Sequence, residues 1–543
     1  MIFIGPGILF GHKIKHDFPY AYLSSDSFQH QVRAESIKDA GNFRYEARYI
    51  SQGFENIVGR YPPLIYHLSV VLSYSAGIEV YDSIYLIVFF AVTLGAFVFY
   101  LVIRNFNRNI AIISLPLALM LITPPLYIKQ NGSLTQWSGF GINTGFAYGH
   151  WPSLTAQFFL IVFAWCLINI ELEKFYIPAG IIFSSVILSH TSEAVFGLFF
   201  TILFLTAKLL SKKLSKTIIK NSVLFFLISV LISLHYLIIF QNTWGDNRYS
   251  FAVEPFWSDP GIYLMSFKAL LIFILAGIAF SLFRFRGMHT SIVFAFSMLL
   301  SGYLNYIGFG LRSFQIRFLW PLYLSVFFGL AIYSLLKFAM GEFRIIYSVL
   351  LSAALTLLLV GVVQLSFLPA YKPFSSSGLM DEYHWGALTW IAKNTGQDSK
   401  IYFFYGDIYS QDALLRNSKR VHYLAYPQDI RDAIMGKKIK RDYVTKLPGD
   451  SGGGIKARKS IFYFEDVTES KPPEYFFGPQ DICNFNYIVF DKVSYDNGFV
   501  QYGALVASEL LKKDYFSVAY NSQTTIILKN GKSGNDCIEE KTF

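Results

Sequence analysis

A short polar segment near the start of the chain carries residue types that can do chemistry. Ser24 or Ser25 is a suitable N-cap for a short amphipathic helix, and Gly41 is a suitable residue just beyond its end. Asp26 then lies in the first turn, where the helix dipole favours a carboxylate, and His30 comes four residues later on the same face. A carboxylate placed there can act as a general base on a hydroxyl, with His30 orienting it or binding a phosphate.

Each of these two residues also has an ordinary interpretation. Asp26 suits a first-turn position in any helix, and a single histidine such as His30 is more often packed or on the surface. The pair offers too few ligands for a metal site, so a divalent metal is possible but is not supported by visible ligands.

Two arginines later in the chain are candidates for binding a donor phosphate. Arg312 and Arg317 share one short loop, and a guanidinium can hold a lipid-linked phosphate through two parallel hydrogen bonds. The alternative is that both side chains snorkel to lipid headgroups, as cationic side chains at helix ends commonly do.

Further ionisable residues lie near predicted helix ends. His150 precedes an apolar helix, while His190 and Glu193 lie in a short hairpin. Ionisable residues at membrane depth are candidates for function, although ordinary interfacial residues occupy the same places. Together with Arg60, these three are possible substrate-binding residues.

The composition is that of a membrane protein. Hydrophobic residues make up 53% of the chain and charged residues only 15%, against roughly a quarter charged in soluble domains. Apolar blocks extend to about Leu368. We therefore predict a polytopic helical domain at 1–370, with a first outer loop at 11–63, followed by a soluble α/β domain at 371–543.

About ten spanning helices fit the apolar blocks, near 84–103, 110–127, 151–170, 175–190, 192–207, 221–240, 263–283, 290–308, 318–336 and 345–368. The segment 64–78 reaches only about 22 Å and is predicted to lie along the outer interface. Residues 1–10 are apolar but too short to span, so they are either an interfacial segment or the sign of a lost first helix; we expect a first helix to be missing from this sequence.

The distribution of basic residues predicts the orientation. One set of alternate short loops carries twelve: Arg104, Arg108, Lys174, Lys208, Lys212, Lys213, Lys216, Lys220, Arg284, Arg286, Lys337 and Arg344. The opposite loops carry four: Lys129, Arg248, Arg312 and Arg317. The first set is therefore predicted to be cytoplasmic, which places Asp26 and the C-terminal domain outside a multi-pass cell-membrane protein.

The polar tail has an α/β pattern. Strand-like runs occupy 400–405, 420–426, 460–464, 487–491 and 524–528, and helical runs occupy 383–393 and 502–512. Cys483 and Cys537 either pair or stay free if the tail is extracytoplasmic. The net charge of +10 is spread through loops and tail without a basic, aromatic-interleaved surface, so no nucleic-acid partner is predicted.

Several short motifs together resemble the GT-C superfamily of polytopic glycosyltransferases, which includes oligosaccharyltransferases, protein O-mannosyltransferases and aminoarabinose transferases that modify lipid A. The motifs are Asp26 with His30, R-Y-P-P-L-x-Y at Arg60–Tyr66, G-H-W-P-S at Gly149–Ser153, S-H-T at Ser189–Thr191, R-F-L-W-P-L at Arg317–Leu322, and the tail segment Trp385–Lys400.

The resemblance implies inverting transfer of a sugar from a polyprenyl-phosphate-type carrier to an acceptor glycan, lipid or protein on the outer membrane face. Asp26 would be the first-loop aspartate, and Arg317 or Arg312 the arginine that binds the donor phosphate. Two features depart from the family: a full first helix is missing, and the second outer loop, 128–150, has no acid.

A non-enzymatic polytopic protein is the alternative. Transporters tend to show inverted repeats and ionisable residues at the bilayer midplane. Here no repeat is visible in the sequence, and the predicted midplane positions are mostly apolar, with His235 and Lys268 as the main exceptions. A flippase or assembly factor for lipid-linked sugars would also explain the outer arginines, but it would not need Asp26.

Overall fold

The structure is a computed structural model of the chain. It describes residues 18–19, 22–51, 55–56, 58–59, 61–120, 126–130, 133–137, 149–244, 270–284, 289–301, 320–340, 349, 379–405, 412–424, 485–493 and 497–533.

Helices make up most of the described residues before position 350. They are α1 (Ser25–Ala40), α2 (Leu64–Ala76), α3 (Val80–Phe106), α4 (Arg108–Met120), α5 (Trp151–Ile168), α6 (Tyr176–Ser189), α7 (Thr191–Leu210), α8 (Lys216–Trp244), α9 (Leu270–Arg284), α10 (Thr290–Ser301) and α11 (Trp320–Met340).

Helix α1 has the ends that its capping residues predict. Ser24 is extended, and its hydroxyl accepts a hydrogen bond from the backbone N–H of Ser27 at 3.4 Å. Gly41 has a left-handed φ of 65°, and its N–H bonds to the carbonyl of Lys38. Both predicted caps are therefore confirmed, and Asp26 lies in the first turn as expected.

Four of the described helices are long and apolar enough to cross a membrane, judged by length and composition: α3, α5, α7 and α8, the last over Lys216–Phe240. They coincide with the predicted spans 84–103, 151–170, 192–207 and 221–240. Helices α6, α9, α10 and α11 coincide with the predicted spans 175–190, 263–283, 290–308 and 318–336, and their described apolar lengths are shorter.

One predicted span extends too far. The prediction placed a helix over 110–127, but α4 is described to Met120, and Leu126–Gln130 forms a strand, β1, paired with β2 (Ser133–Trp137). Pro124 and Pro125 precede that strand, and proline is poorly tolerated inside a helix. The predicted span 345–368 lies outside the described residues apart from Val349.

Helix α2 has the length expected of a helix that does not span. Its 13 residues reach about 20 Å, short of the roughly 30 Å of a hydrocarbon core. Ile65 and Tyr66 are buried, whereas Val71 and Tyr74 are exposed on its other side. The interfacial orientation remains a prediction.

Contacts at the two ends of α3 show which other segments lie on each side of the helical region. Near its start, the Tyr22 hydroxyl donates to the carbonyl of Tyr81 at 2.7 Å, and Trp151 at the start of α5 packs against the same Tyr22 ring. Near its end, the Ser291 hydroxyl donates to the carbonyl of Val102 at 2.5 Å. We call the side with Tyr22 and α1 the loop face, and the side with Ser291 the opposite face.

A five-stranded sheet lies in the C-terminal part, which we call the C-terminal unit (379–533, as described). Its elements are α12 (Glu382–Asn394), β3 (Lys400–Phe404), α13 (Asp412–Leu415), a 3₁₀ turn (Arg416–Ser418), β4 (Val421–Leu424), β5 (Tyr487–Asp491), α14 (Asn497–Leu511), β6 (Phe516–Asn521) and β7 (Thr525–Asn530).

The strand order in this sheet is β4-β3-β5-β7-β6. Strands β4, β3 and β5 are parallel, whereas β7 is antiparallel to β5 and β6. Apolar side chains of the central strands are buried, including Ile401, Phe403, Ile488 and Val489, as expected for strands covered on both faces. The predicted strand at 460–464, like Cys483 and Cys537, lies outside the described residues.

The C-terminal unit docks on the loop face. The backbone N–H of Leu379 donates to the carbonyl of Tyr22 at 2.7 Å, and Arg48 pairs with Asp398 at 2.5 Å. Helix α1 and the C-terminal unit therefore share one face of the helical region. That this face is extracytoplasmic remains a prediction.

Candidate active site

Four of the segments singled out in the sequence meet on the loop face. They are the first turns of α1, the segment 61–66, the start of α5, and the junction of α6 with α7. Contacts join them in turn: Gly149 packs on Ser27, His30 contacts Tyr66, and the Tyr61 ring lies 6.3 Å from the ring of His190. We call this group the loop-face cluster.

Asp26 presents an exposed carboxylate at the edge of this cluster. Its place in the first turn of α1 puts it near the positive end of the helix dipole, which favours the ionised form. An exposed, ionised carboxylate at a helix end can accept a proton from an approaching hydroxyl.

Gly149 fixes the position of that carboxylate through backbone contact. Its φ of +76° is left-handed, and a Cβ at this position would lie 2.4 Å from the Ser27 nitrogen and 2.8 Å from the Asp26 carbonyl carbon. Only glycine allows such an approach without displacing one of the two segments. The G-H-W-P segment is therefore in backbone contact with the turn that carries Asp26.

His30 is buried beneath this turn and is not exposed beside Asp26. Its Nδ1 lies 2.8 Å from the Tyr66 hydroxyl, and the ring also bonds to the backbone of Gly149. Burial, together with charge repulsion from Arg33 and His190, lowers the pKa of His30 to about 3. A neutral His30 joins α1, α2 and the start of α5, which is a positioning arrangement.

Aromatic rings support the cluster from below. The Tyr22 ring packs edge-on against Phe28 at 5.1 Å and against Trp151 at 5.0 Å, and Tyr85 of α3 lies next to both Tyr22 and Trp151. Such edge-on pairs add stability beyond their buried area. They lock the first turn of α1 against the starts of α3 and α5.

A buried carboxylate lies on the other side of the cluster. The Glu193 side chain is fully buried in the first turn of α7. Its Oε1 accepts hydrogen bonds from the Ser153 hydroxyl at 2.5 Å and from Gln157 Nε2 at 3.1 Å, and its Oε2 pairs with Nδ1 of His190. Two of the predicted substrate-binding residues are therefore bonded to each other.

Sequence reasoning missed Ser153 and Gln157 as members of this site. The available signal was their spacing: two polar side chains four residues apart lie on one face of a helix whose other residues, apart from Thr155, are apolar.

Arg33 was also missed. It lies on α1, pairs with Glu46 at 2.7 Å, and places its guanidinium 5.9 Å from the centre of the Tyr61 ring. Burial raises the pKa of the Tyr61 hydroxyl, Glu193 and Asp26 raise it further, and Arg33 opposes them. Tyr61 therefore lies within electrostatic range of both carboxylates of the cluster.

The remaining predicted site residues divide into one that is placed and three that are not described. His150 is the residue before α5 and is half-buried next to Gly149. Arg60, Arg312 and Arg317 lie outside the described residues. Within the described ranges, no group of three or more His, Cys, Asp or Glu side chains is placed to hold a metal ion.

No protein-family model and no curated protein matches the sequence, whereas several solved structures resemble the fold. The archaeal oligosaccharyltransferase AglB from Archaeoglobus fulgidus, in complex with an inhibitory peptide and a dolichol-phosphate, is 15% identical with a TM-score of 0.47. The match covers 77% of this chain and 63% of that one, so this chain spans less than two thirds of that relative.

Two crystal structures align over nearly the whole chain. The Archaeoglobus fulgidus oligosaccharyltransferase complexed with Zn and sulfate is 13% identical, with a TM-score of 0.53 and coverage of 97% of this chain and 72% of that one. ArnT from Cupriavidus metallidurans bound to undecaprenyl phosphate is 9% identical, with a TM-score of 0.53 and coverage of 97% and 96%.

These likenesses show the fold. The chain shares the fold of the Archaeoglobus fulgidus oligosaccharyltransferase and of ArnT, with a membrane helical domain, and the resemblance predicted from the motifs is confirmed at the level of the fold.

Proposed function

We propose that this protein is a membrane glycosyltransferase. It transfers a sugar from a polyprenyl-phosphate-type lipid carrier to an acceptor on the outer membrane face, with inversion at the anomeric carbon. The observation that carries the proposal is the exposed Asp26 carboxylate, held at the N-terminus of α1 by the backbone contact with Gly149. The fold shared with ArnT, a protein solved with undecaprenyl phosphate, supports a lipid-linked donor.

The proposed reaction is a single displacement. The Asp26 carboxylate takes the proton from the acceptor hydroxyl, and the acceptor oxygen bonds to the anomeric carbon. The bond between that carbon and the phosphate oxygen breaks, and the polyprenyl phosphate leaves with the electron pair. Inversion results from attack on the side opposite the leaving group.

The other residues divide the remaining tasks. Arg312 and Arg317 are proposed to stabilise the negative charge on the departing phosphate through bidentate hydrogen bonds. Arg60, His150 and His190 are proposed to bind substrate, Glu193 is proposed to contribute to binding through its contact with His190, and neutral His30 positions Asp26. The C-terminal unit, docked beside α1, is proposed to bind or position the acceptor.

The outward orientation rests on two observations. The C-terminal unit and α1 share the loop face. Lys208 and Lys213, two of the basic residues predicted to be cytoplasmic, lie near His289 on the opposite face. Positive-inside bias therefore supports the proposal that Asp26 lies outside.

Reconstitution tests the function directly. The full chain in liposomes is incubated with undecaprenyl phosphates that carry glucose, mannose, galactose or arabinose, together with a lipid extract as acceptor. Mass spectrometry measures the release of undecaprenyl phosphate and the mass added to the acceptor. Release and acceptor glycosylation that both require Asp26 support the proposal; movement of intact sugar-lipid across the bilayer without release supports a flippase and contradicts it.

A further inference from the structure

Glu193 is a buried charge that has been given a complete set of partners. The cost of burying a carboxylate is large unless hydrogen bonds replace its water. Here Ser153 and Gln157 supply two bonds to one oxygen and His190 supplies one to the other. The position in the first turn of α7 adds the favourable end of a helix dipole.

His190 is held at a point where the chain reverses. It is the single residue between α6 and α7, with an extended backbone of φ −161° and ψ 131°. Its side chain is 14% exposed. With Nδ1 engaged by Glu193, the ring cannot rotate, and the direction of Nε2 is set by the two helix ends.

Nε2 of His190 has no hydrogen-bond partner among the residues that the structure describes. In a neutral ring whose Nδ1–H donates to a carboxylate, Nε2 is a lone-pair acceptor. A carboxylate that fixes the tautomer of a histidine in this way makes the other nitrogen a better proton acceptor. The free nitrogen is therefore suited to receive a hydrogen bond from a hydroxyl.

The ring of His190 belongs to the loop-face cluster, at whose edge Asp26 lies. This ring lies 6.3 Å from the Tyr61 ring, and the charges of Glu193 and Asp26 both raise the pKa of the Tyr61 hydroxyl. Two polar atoms on the helices that carry these residues, the Ser189 hydroxyl of α6 and Gln31 Oε1 of α1, are buried without a partner among the described residues.

We propose that His190, oriented by Glu193, accepts a hydrogen bond through Nε2 from a hydroxyl of the sugar on the lipid carrier. This rests on the proposed function and names the part of the substrate that the α6–α7 junction recognises. Glu193 is a positioning residue that acts through His190. A purely structural role, in which the network only ties α7 to α5, is the alternative.

Two substitutions separate these roles. Asn at position 190 places its amide where Nδ1 lies, so His190→Asn keeps a donor toward Glu193 and removes the group at Nε2. Gln reaches one bond further, so His190→Gln restores a polar group near the place of Nε2. His289→Asn, on the opposite face, is the matched control.

Binding is measured in nanodiscs, with Asp26→Asn in every variant so that no turnover occurs. The probes are undecaprenyl phosphate and the same lipid carrying glucose, mannose, galactose or arabinose. We expect at least one sugar to strengthen binding over the bare lipid. His190→Asn should remove that difference, about tenfold for one hydrogen bond, without changing affinity for the bare lipid, and His190→Gln should restore part of it.

A double-mutant cycle tests the role of Glu193. If Glu193 acts through His190, the single variant Glu193→Gln lowers the sugar-dependent difference in affinity. Adding Glu193→Gln to His190→Asn then causes no further loss. The inference would be overturned if His190→Asn kept the full difference in affinity between sugar-carrying and bare lipid, or if it weakened binding of the bare lipid equally. It would also be overturned if no sugar strengthened binding to the starting protein. Because binding needs no transfer, a failure of the transfer assay leaves this result independently readable.

Discussion

The Nζ of Lys419 lies 3.3 Å from Oε2 of Glu35, a residue 384 positions earlier in the chain, and 2.8 Å from Oδ2 of Asp39. The lysine has a left-handed φ of 53°, an uncommon conformation that a surrounding structure must hold in place. Helix α1, which carries Asp26 at one end, is thereby joined at its other end to the C-terminal unit.

The ionisation of the three groups fits this arrangement. Burial raises the pKa of Glu35, an effect that Lys419 opposes and that Asp39 adds to. Burial would lower the pKa of Lys419, but Glu35 and Asp39 outweigh it and raise that pKa. For Glu35 the effect of burial is larger than that of the lysine charge, whereas for Lys419 the two nearby acids together outweigh burial.

Lys419→Met should therefore loosen the docking of the C-terminal unit. Removal leaves Glu35 buried without its cation, and since Lys419 is about a third exposed we expect a loss of about 1–2 kcal/mol rather than that of a fully buried pair. Hydrogen exchange of α1 should rise. Lys512→Met, which removes an exposed pair with Glu509, is the control, and equal exchange in the two variants would contradict the prediction.

Gly149→Ala should destabilise the protein and displace Asp26. A left-handed alanine costs about 1–2 kcal/mol, and the added Cβ also meets the Ser27 backbone at 2.4 Å. Gly41→Ala is the matched control, because Gly41 has a φ of +65° but nothing within 4 Å of its Cβ position. Thermal unfolding and sugar transfer are measured for both; similar transfer in the two variants would show that the close contact does not position Asp26.

Asp26→Asn should lower sugar transfer by about 10²–10⁴-fold, the usual contribution of a general base. Stability should change by only about 0.3–1 kcal/mol, the value of one charge at an exposed helix start. Glu382→Gln removes another exposed acid from the first turn of a helix and should leave transfer unchanged. Wild-type transfer rates in Asp26→Asn would end the catalytic assignment.

His384 makes the stability of the C-terminal unit depend on pH. Burial alone would lower its pKa, but hydrogen bonds to Asp381 and Asp491 raise it above the ordinary value of about 6.5. Because the folded protein holds the His384 proton more tightly than the unfolded chain does, this proton stabilises the folded state. The stabilisation is fully present below the pKa of the unfolded chain and is lost as the pH rises through the pKa of the folded state. We expect the unfolding temperature to fall as the pH rises above about 6.5, the ordinary pKa of histidine.

Two variants test whether His384 causes this pH dependence: one removes the histidine, and the control removes a neighbouring hydrogen bond that involves no histidine. His384→Asn should flatten the pH dependence. Tyr405→Phe, which deletes the buried bond to Thr525, should lower the unfolding temperature and keep the slope. A slope unchanged in His384→Asn would assign it to other groups.

Local features of the site were predictable from sequence, and long-range ones were not. The ends of α1 follow from Ser24 and Gly41 because capping depends on a few adjacent residues. Two partners of Glu193, Ser153 and Gln157, come from a helix 36 to 40 positions earlier, and Lys419 reaches α1 across most of the chain. No local pattern encodes such contacts. The overlong span at 110–127 came from counting apolar residues past Pro124 and Pro125.

The one-residue junction at His190 has a consequence for how sequences of this kind can vary. Each residue added to a helix turns the residues after it by about 100°. A single insertion between Ser189 and Glu193 would therefore swing the carboxylate away from Ser153 and Gln157, whatever residue was inserted. Alignments of related chains should show gaps elsewhere on the loop face but none between α6 and the first turn of α7, where length itself is under selection.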